Sequence, residues 1–296
     1  MSIIQKSVLL SEKTRAGYEI GGIADYFTDV CNTEDIKQAL DFAKENKIPY
    51  FILGNGSNCL ISDKGYRGLV INTRRMDGIF ILQNSVRAES GAQLSAFVRD
   101  TILAGLGGTE ELSGIPGTLG GAIYMNAGAY SQTISDYITQ VCYYDCDTHT
   151  EVVVSKKEAD FGYRSSLFQR KNCIILWAEF DLKLKVGVGI LLSRQNEILQ
   201  KRRLSQPLEY RSCGSVFKRP AGYYAGKMIE ESGLKGFSVG GAEVSEKHAN
   251  FIINKGSATA EDVCAVISQV RKVVHEKYLI TLDTEIVFLG EFDTKF

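Results

Sequence analysis

The sequence predicts an α+β protein in two regions. Three observations carry that prediction. Short apolar runs of strand length recur along the chain, capped amphipathic helix patterns stand near its beginning and its end, and its character changes at about Gly189. A length of 296 residues suggests two packed domains. They are read here as residues 1–188, divisible at about residue 72 into subdomains 1–72 and 73–188, and residues 189–296. With 44% hydrophobic and 23% charged residues, the chain can bury a core and is not disordered.

Residues 24–31 are β-rich through Tyr26, Phe27 and Val30. Thr33 is placed to cap a helix whose first turn is acidic (Glu34, Asp35) and whose apolar face is Ile36, Ala39, Leu40 and Ala43. Lys44 and Lys47 close it. Pro49 then precedes Tyr50-Phe51-Ile52-Leu53, a strand that stops at Gly54, so the start reads as βαβ. Strands follow at 69–71 and 79–82, and then a helix on Leu94, Phe97, Val98 and Ile102 that ends at Gly105. Residues 105–128 are dense in glycine, and strands at 151–154 and 173–177 come after them. From Gly189 a polar segment containing Lys201-Arg202-Arg203 leads through Pro207 into the last region. That region holds a helix at 225–232 stopped by Gly233, a strand at 250–253 and a final strand at 280–289. Between those strands, Thr259-x-x-Asp262 opens a helix whose one face is Val263, Val266, Ile267, Val270 and Val274.

Composition removes several function classes. Lys plus Arg number 34 against 35 for Asp plus Glu, which offers no basic field for nucleic acid. No apolar run is long enough to span a membrane, and Gln5 and Lys6 interrupt the opening segment, so neither a span nor a signal peptide is expected and the chain reads as cytoplasmic. The seven cysteines are scattered without a C-x-x-C, and the three histidines form no ligand pattern; reduced thiols and no metal are expected. Glycine stands out instead, at 29 residues.

Two glycine loops point to a ligand. Gly54-Asn55-Gly56-Ser57-Asn58 follows a strand but is neither a Walker loop nor a Rossmann turn, because no Gly-Lys-Ser/Thr and no helix follow it. It is either a plain turn or a nest of main-chain N–H groups to which Ser57 and Asn58 add donors. Ser113-Gly114-Ile115-Pro116-Gly117-Thr118-Leu119-Gly120-Gly121-Ala122 carries no charge, which suits close main-chain approach to a flat or anionic ligand or, alternatively, tight helix packing. Three polar residues elsewhere invite chemistry. Arg164, among Phe161, Tyr163, Leu167 and Phe168, is either stacked on aromatics or a fixed cation for an enolate-like charge. Ser215 lies in Cys213-Gly214-Ser215 with no histidine nearby in sequence, which argues against hydrolysis. Glu285 opens an apolar strand and either faces water or is partly desolvated.

Taken with Ile20-Gly21-Gly22, Phe161-Gly162-Tyr163-Arg164-Ser165-Ser166, Gly214-Ser215-Val216-Phe217-Lys218-Arg219-Pro220, Ala225-Gly226-Lys227-Met228, Gly240-Gly241-Ala242-Glu243 and Glu285-Ile286-Val287-Phe288, the two loops resemble one family in order along nearly the whole chain. It is the UDP-N-acetylenolpyruvoylglucosamine reductase (MurB) family, within the vanillyl-alcohol-oxidase-like (PCMH-type) flavoproteins. The resemblance implies an FAD-binding domain at 1–188 and a substrate-binding domain at 189–296. It implies non-covalent FAD held by Gly54, Asn55, Gly56, Ser57, Asn58, Ser113, Gly114, Ile115, Pro116, Gly117, Gly121 and Ala122. NADPH is the implied co-substrate, and a UDP-linked amino sugar bearing an enolpyruvyl ether is the implied substrate, reduced to UDP-N-acetylmuramate for peptidoglycan. Ser215 is then the proton donor, Arg164 and Glu285 act around the enol ether carboxylate, and Lys218, with Arg202 second to it, is a candidate for the pyrophosphate. No protein partner is implied. Alternatives from other classes are an oxidase of the same superfamily and a flavin-binding module without catalysis.

The chain also departs from the family pattern. Ile23 stands where a proline is frequent, and Cys213 where alanine is usual, which puts a thiol beside the implied donor. The short stretch between Arg164 and Arg202 resembles the family branch that lacks a lid insertion.

Overall fold

A computed structural model describes residues 4–14, 17–182 and 184–294 of the protein. Residues 1–3, part of the opening segment read for a signal peptide, lie outside the described residues. The chain divides into two units that interleave in sequence. One is built chiefly from residues 27–54 and 69–202, the other from residues 6–26, 55–68 and 203 onward. The composition change near 188–200 therefore coincides with only one of several crossings, and the 54–58 turn contains another.

In the first unit, the helix Thr33–Glu45 buries Ile36, Ala39, Leu40 and Ala43 as its periodicity predicts. Its cap is Asn32 rather than Thr33. Asn32 has extended backbone and its side chain accepts from the Asp35 N–H at 2.9 Å, while the Thr33 hydroxyl donates to Glu151 Oε1 at 2.7 Å. The strand Tyr50–Leu53 pairs in parallel with residues 69–72, Tyr50 opposite Leu69 and Leu53 opposite Asn72.

The same unit contains a five-stranded antiparallel sheet in the order Thr150–Ser155, Ile138–Asp145, Cys173–Asp181, Ser85–Glu89, Ile79–Leu82. The helix Leu94–Leu103 buries Leu94, Phe97, Val98 and Ile102 against it, with the Phe97 and Phe180 rings 4.7 Å apart. Residues 188–205, read from the sequence as a polar segment, form a helix instead. Strong helix formers (Leu, Gln, Glu, Lys, Arg) fill it, yet only Leu191 and Arg202 are buried, so it carries no apolar stripe to betray it.

In the second unit the long helix Ala260–Tyr278 buries Val263, Val266, Ile267, Val270 and Val274 completely. The Thr259–Asp262 capping box is formed: Thr259 Oγ1 accepts from the Asp262 N–H at 3.1 Å and Asp262 Oδ2 from the Thr259 N–H at 2.9 Å. The Asp63 carboxylate also accepts from the Ala260 N–H, at 2.9 and 3.0 Å, placing an anion where the helix dipole favours one. Three short antiparallel strands, Ser238–Val239, Ala242–Val244 and Ile252–Asn254, join the helix around the core. Cys59–Ile61 pairs in parallel with Val287–Leu289, Cys59 opposite Val287. The final strand is thus shorter than residues 280–289, because residues 283–285 bond to another segment, described below.

Candidate active site

In the first unit the candidate residues form a main-chain surface. Gly54 ends the strand Tyr50–Leu53, and its carbonyl accepts from Asn72 Nδ2 at 3.0 Å. A β-carbon at Gly54 would stand 2.3 Å from Thr118 Oγ1, so the end of the first glycine loop touches the second. Thr118 caps the short helix Leu119–Tyr124. Gly114 and Gly117 have φ of +78° and +129°, conformations that turn main chain outward and that other residues resist. Gly114, Pro116 and Gly121 are exposed, while Ser113, Thr118 and Ala122 are buried. The helix Val188–Ser205 lies on this loop. Gln195 Nε2 donates to Ser113 Oγ at 3.3 Å, and a β-carbon at Gly114 would come within 2.8 Å of Arg202 Nε. That buried Nε has no hydrogen-bond partner among the described residues, and burial pulls the Arg202 guanidinium below its ordinary pKa. An exposed, uncharged main-chain surface beside a buried cation with spare donor capacity fits an anionic, flat dinucleotide such as FAD.

Arg164 is half-buried and held with φ of +51°, which costs about 1 kcal/mol for a residue with a β-carbon. Local bonds over-determine that geometry. Gly162 and Ser165 exchange N–H···O bonds at 3.0 and 3.3 Å, the Arg164 carbonyl accepts from Gln169 Nε2 at 3.1 Å, and Asn126 Nδ2 donates to the Gly162 carbonyl at 2.9 Å. The guanidinium donates from Nη2 to the Gly128 carbonyl at 3.1 Å and lies over the Tyr163 ring. Arg164 is therefore fixed against the chain just after the second glycine loop. Sequence reasoning missed Asn126, which is buried, has φ of +42° and also accepts from the Ser135 N–H. It missed Thr118 as well. An asparagine closing a short helix was the available signal for the first.

Three candidate residues of the second unit adjoin. Ser215 bridges Phe251 on one side of its segment, while the Val216 carbonyl on the other side accepts from the Glu285 N–H at 2.7 Å. The Lys218 N–H donates to the Asp283 carbonyl at 2.8 Å. Ser215 and Glu285 are both half-buried. Asn58 joins them: its Nδ2 donates to the Glu285 carbonyl at 3.0 Å, and its own carbonyl accepts from the Val287 N–H at 2.9 Å. Cys213 is buried, donates to the Cys59 carbonyl at 3.2 Å, and burial pushes its thiol pKa far up. Burial likewise pushes the Cys59 thiol to about 12, so neither sulfur is a ready thiolate. Lys218 and Arg202, both candidates for one pyrophosphate, belong to different units.

Residues 24–153 match the FAD binding domain family, and residues 206–289 match the C-terminal domain of UDP-N-acetylenolpyruvoylglucosamine reductase. The reductase of that name from Caldicellulosiruptor bescii is 45% identical over 278 residues, 94% of this chain and 88% of that one. The Clostridium novyi reductase is 42% identical over 288 residues, 97% of this chain and 92% of that one. The chain belongs to the UDP-N-acetylenolpyruvoylglucosamine reductase (MurB) family. The crystal structure of MurB from Thermus caldophilus superposes with a TM-score of 0.83 at 32% identity, covering 98% of this chain and 100% of that one. The fold is thus the α+β MurB fold with its FAD-binding domain. Along this MurB chain both glycine loops fall inside the FAD-binding match, and Ser215, Lys218 and Glu285 fall inside the C-terminal match. Arg164 and Arg202 lie between the two.

Proposed function

We propose that this chain reduces UDP-N-acetylenolpyruvoylglucosamine to UDP-N-acetylmuramate with NADPH, in the cytoplasm, as a step of peptidoglycan precursor synthesis. Residues 1–188 bind FAD and residues 189–296 bind substrate. The observation that carries the reading is the segment bearing the Ser215 hydroxyl, whose Val216 carbonyl accepts from the Glu285 N–H, in a family of that activity.

FAD, when bound, supplies the two-electron chemistry. The chain's residues do the rest. The main chain of 54–58 and 113–117, with Gly121 and Ala122, lines the cofactor without opposing charge. Cys59 keeps its proton and forms no covalent link. Reduction of the vinyl group leaves negative charge on the carbon that bears the carboxylate. Ser215 Oγ–H delivers a proton to that carbon, and Glu285 supports the transfer. The planar fork of Arg164 faces the carboxylate, where the charge spreads. Lys218 balances the pyrophosphate; Arg202 is the second candidate for that role.

The test is product analysis. Protein loaded with FAD and given NADPH and the enolpyruvyl ether should yield a product heavier by two hydrogens. Unchanged ether, with NADPH consumed only by oxygen, would overturn the reading.

A further inference from the structure

We infer that Asn250 is the positioning residue for Ser215, holding the donor segment through a side-chain amide that acts as a surrogate peptide. The inference rests on the reading of Ser215 as proton donor. Asn250 is 7% exposed, and all four of its hydrogen-bonding groups are engaged. Its side-chain Oδ1 accepts from the Phe217 N–H at 3.1 Å, and its Nδ2 donates to the Phe217 carbonyl at 2.9 Å. Its main-chain carbonyl accepts from the Val216 N–H at 2.8 Å, and its N–H donates to His248 Nδ1 at 3.2 Å.

The geometry shows what this does. The segment through Ser215 is flanked by Phe251 on one side and by residues 283–285 on the other. On the Phe251 side, the Ser215–Phe251 bridge and the Val216 bond leave both main-chain groups of Phe217 without a main-chain partner among the described residues. The Asn250 amide carries one donor and one acceptor side by side, as a peptide does, and satisfies both. Phe217 is 2% exposed, so its N–H and carbonyl would otherwise be buried unpaired, at a cost the segment relieves by shifting. Such a shift moves Ser215, and also Val216, whose carbonyl holds the Glu285 N–H. Asn250 is assigned no contact with substrate or cofactor; it acts through the Ser215–Phe217 segment.

Two variants test it. Asn250→Ala removes both side-chain bonds. Asn250→Asp keeps the acceptor and turns the donor into a second oxygen against the Phe217 carbonyl. In rapid-mixing experiments on the FAD-loaded enzyme, both should leave flavin bleaching by NADPH within about twofold of the parent. Both should slow recovery of the flavin band by the enolpyruvyl ether about a hundredfold, the scale of a displaced reacting group. The aspartate variant should regain rate relative to the parent as pH falls, because a protonated carboxyl restores the donor. Against a Ser215→Ala background, Asn250→Ala should add little further loss, since both act through one hydroxyl. Equal slowing of both half-reactions, or no acid recovery in the aspartate variant, would show a merely structural role. If Ser215→Ala itself leaves recovery unchanged, the donor reading fails. If Ser215→Ala abolishes recovery and Asn250→Ala does not slow it, the positioning inference fails alone.

Discussion

The roles proposed for Ser215, Glu285 and Arg164 are ones that single substitutions separate. Ser215→Ala should keep NADPH-driven bleaching of the flavin and lose recovery by the enol ether, by a factor of about a hundred or more, the usual worth of a placed proton donor. Glu285→Gln keeps the main-chain bond to Val216 and should slow the same half-reaction; unchanged turnover would leave Glu285 with a structural role only. Arg164→Lys replaces the fork with a point charge and gives up the Nη2 bond to Gly128, so recovery should slow while the fold persists. All three residues were legible in the sequence through their motifs. The left-handed backbone that aims Arg164 was not, because Asn126, Gln169 and Ser165 fix it through contacts that spacing does not reveal. Nor was the fate of Cys213, whose proximity to Ser215 suggested a competing acid. Its S–H is committed to the Cys59 carbonyl and its pKa lies far above the usual range.

Among elements, legibility followed burial pattern. The helix Ala260–Tyr278 showed both its capping box and its buried valine face, and Thr259→Ala should cost about 1 kcal/mol in urea unfolding. The helix Val188–Ser205 showed neither, since it buries a leucine and an arginine rather than a stripe. Strand ends misread at residues 280–289 have a related cause: residues 283–285 bond across to the segment 216–218 instead of continuing one ladder. The glycine turns give a sharper test. Gly54→Ala would press a methyl group onto Thr118 Oγ1, so FAD should bind at least tenfold more weakly by fluorescence titration, whereas parent-like affinity would deny the two turns a common cofactor role. At the far end of the five-stranded sheet, the Asp145 carboxyl is held down at about 2, first by Lys171 at 2.9 Å and then by the Thr148 and Asp147 N–H groups. A depressed acid stabilises the fold above its unfolded value of about 4 and loses that contribution as pH falls toward 2. Asp145→Asn should therefore flatten the acid limb of stability against pH, and an unaltered limb would contradict the pairing.

At the scale of the molecule, the α+β class was legible, while the interleaving of the units was not. Residues 55–68 fold with the C-terminal unit because Cys59–Ile61 pairs with Val287–Leu289 and Asp63 caps the helix Ala260–Tyr278, contacts that no local window contains. A cofactor that binds only folded protein should raise the melting temperature, by about 2.7 kcal/mol of stability at a hundredfold excess over its dissociation constant. The decisive trial is anaerobic spectroscopy of protein reconstituted with FAD. NADPH should bleach the yellow band, and UDP-N-acetylenolpyruvoylglucosamine, added without air, should restore it in stoichiometric amount. Failure to take up the flavin, or a bleached band that only oxygen restores, would contradict the assignment.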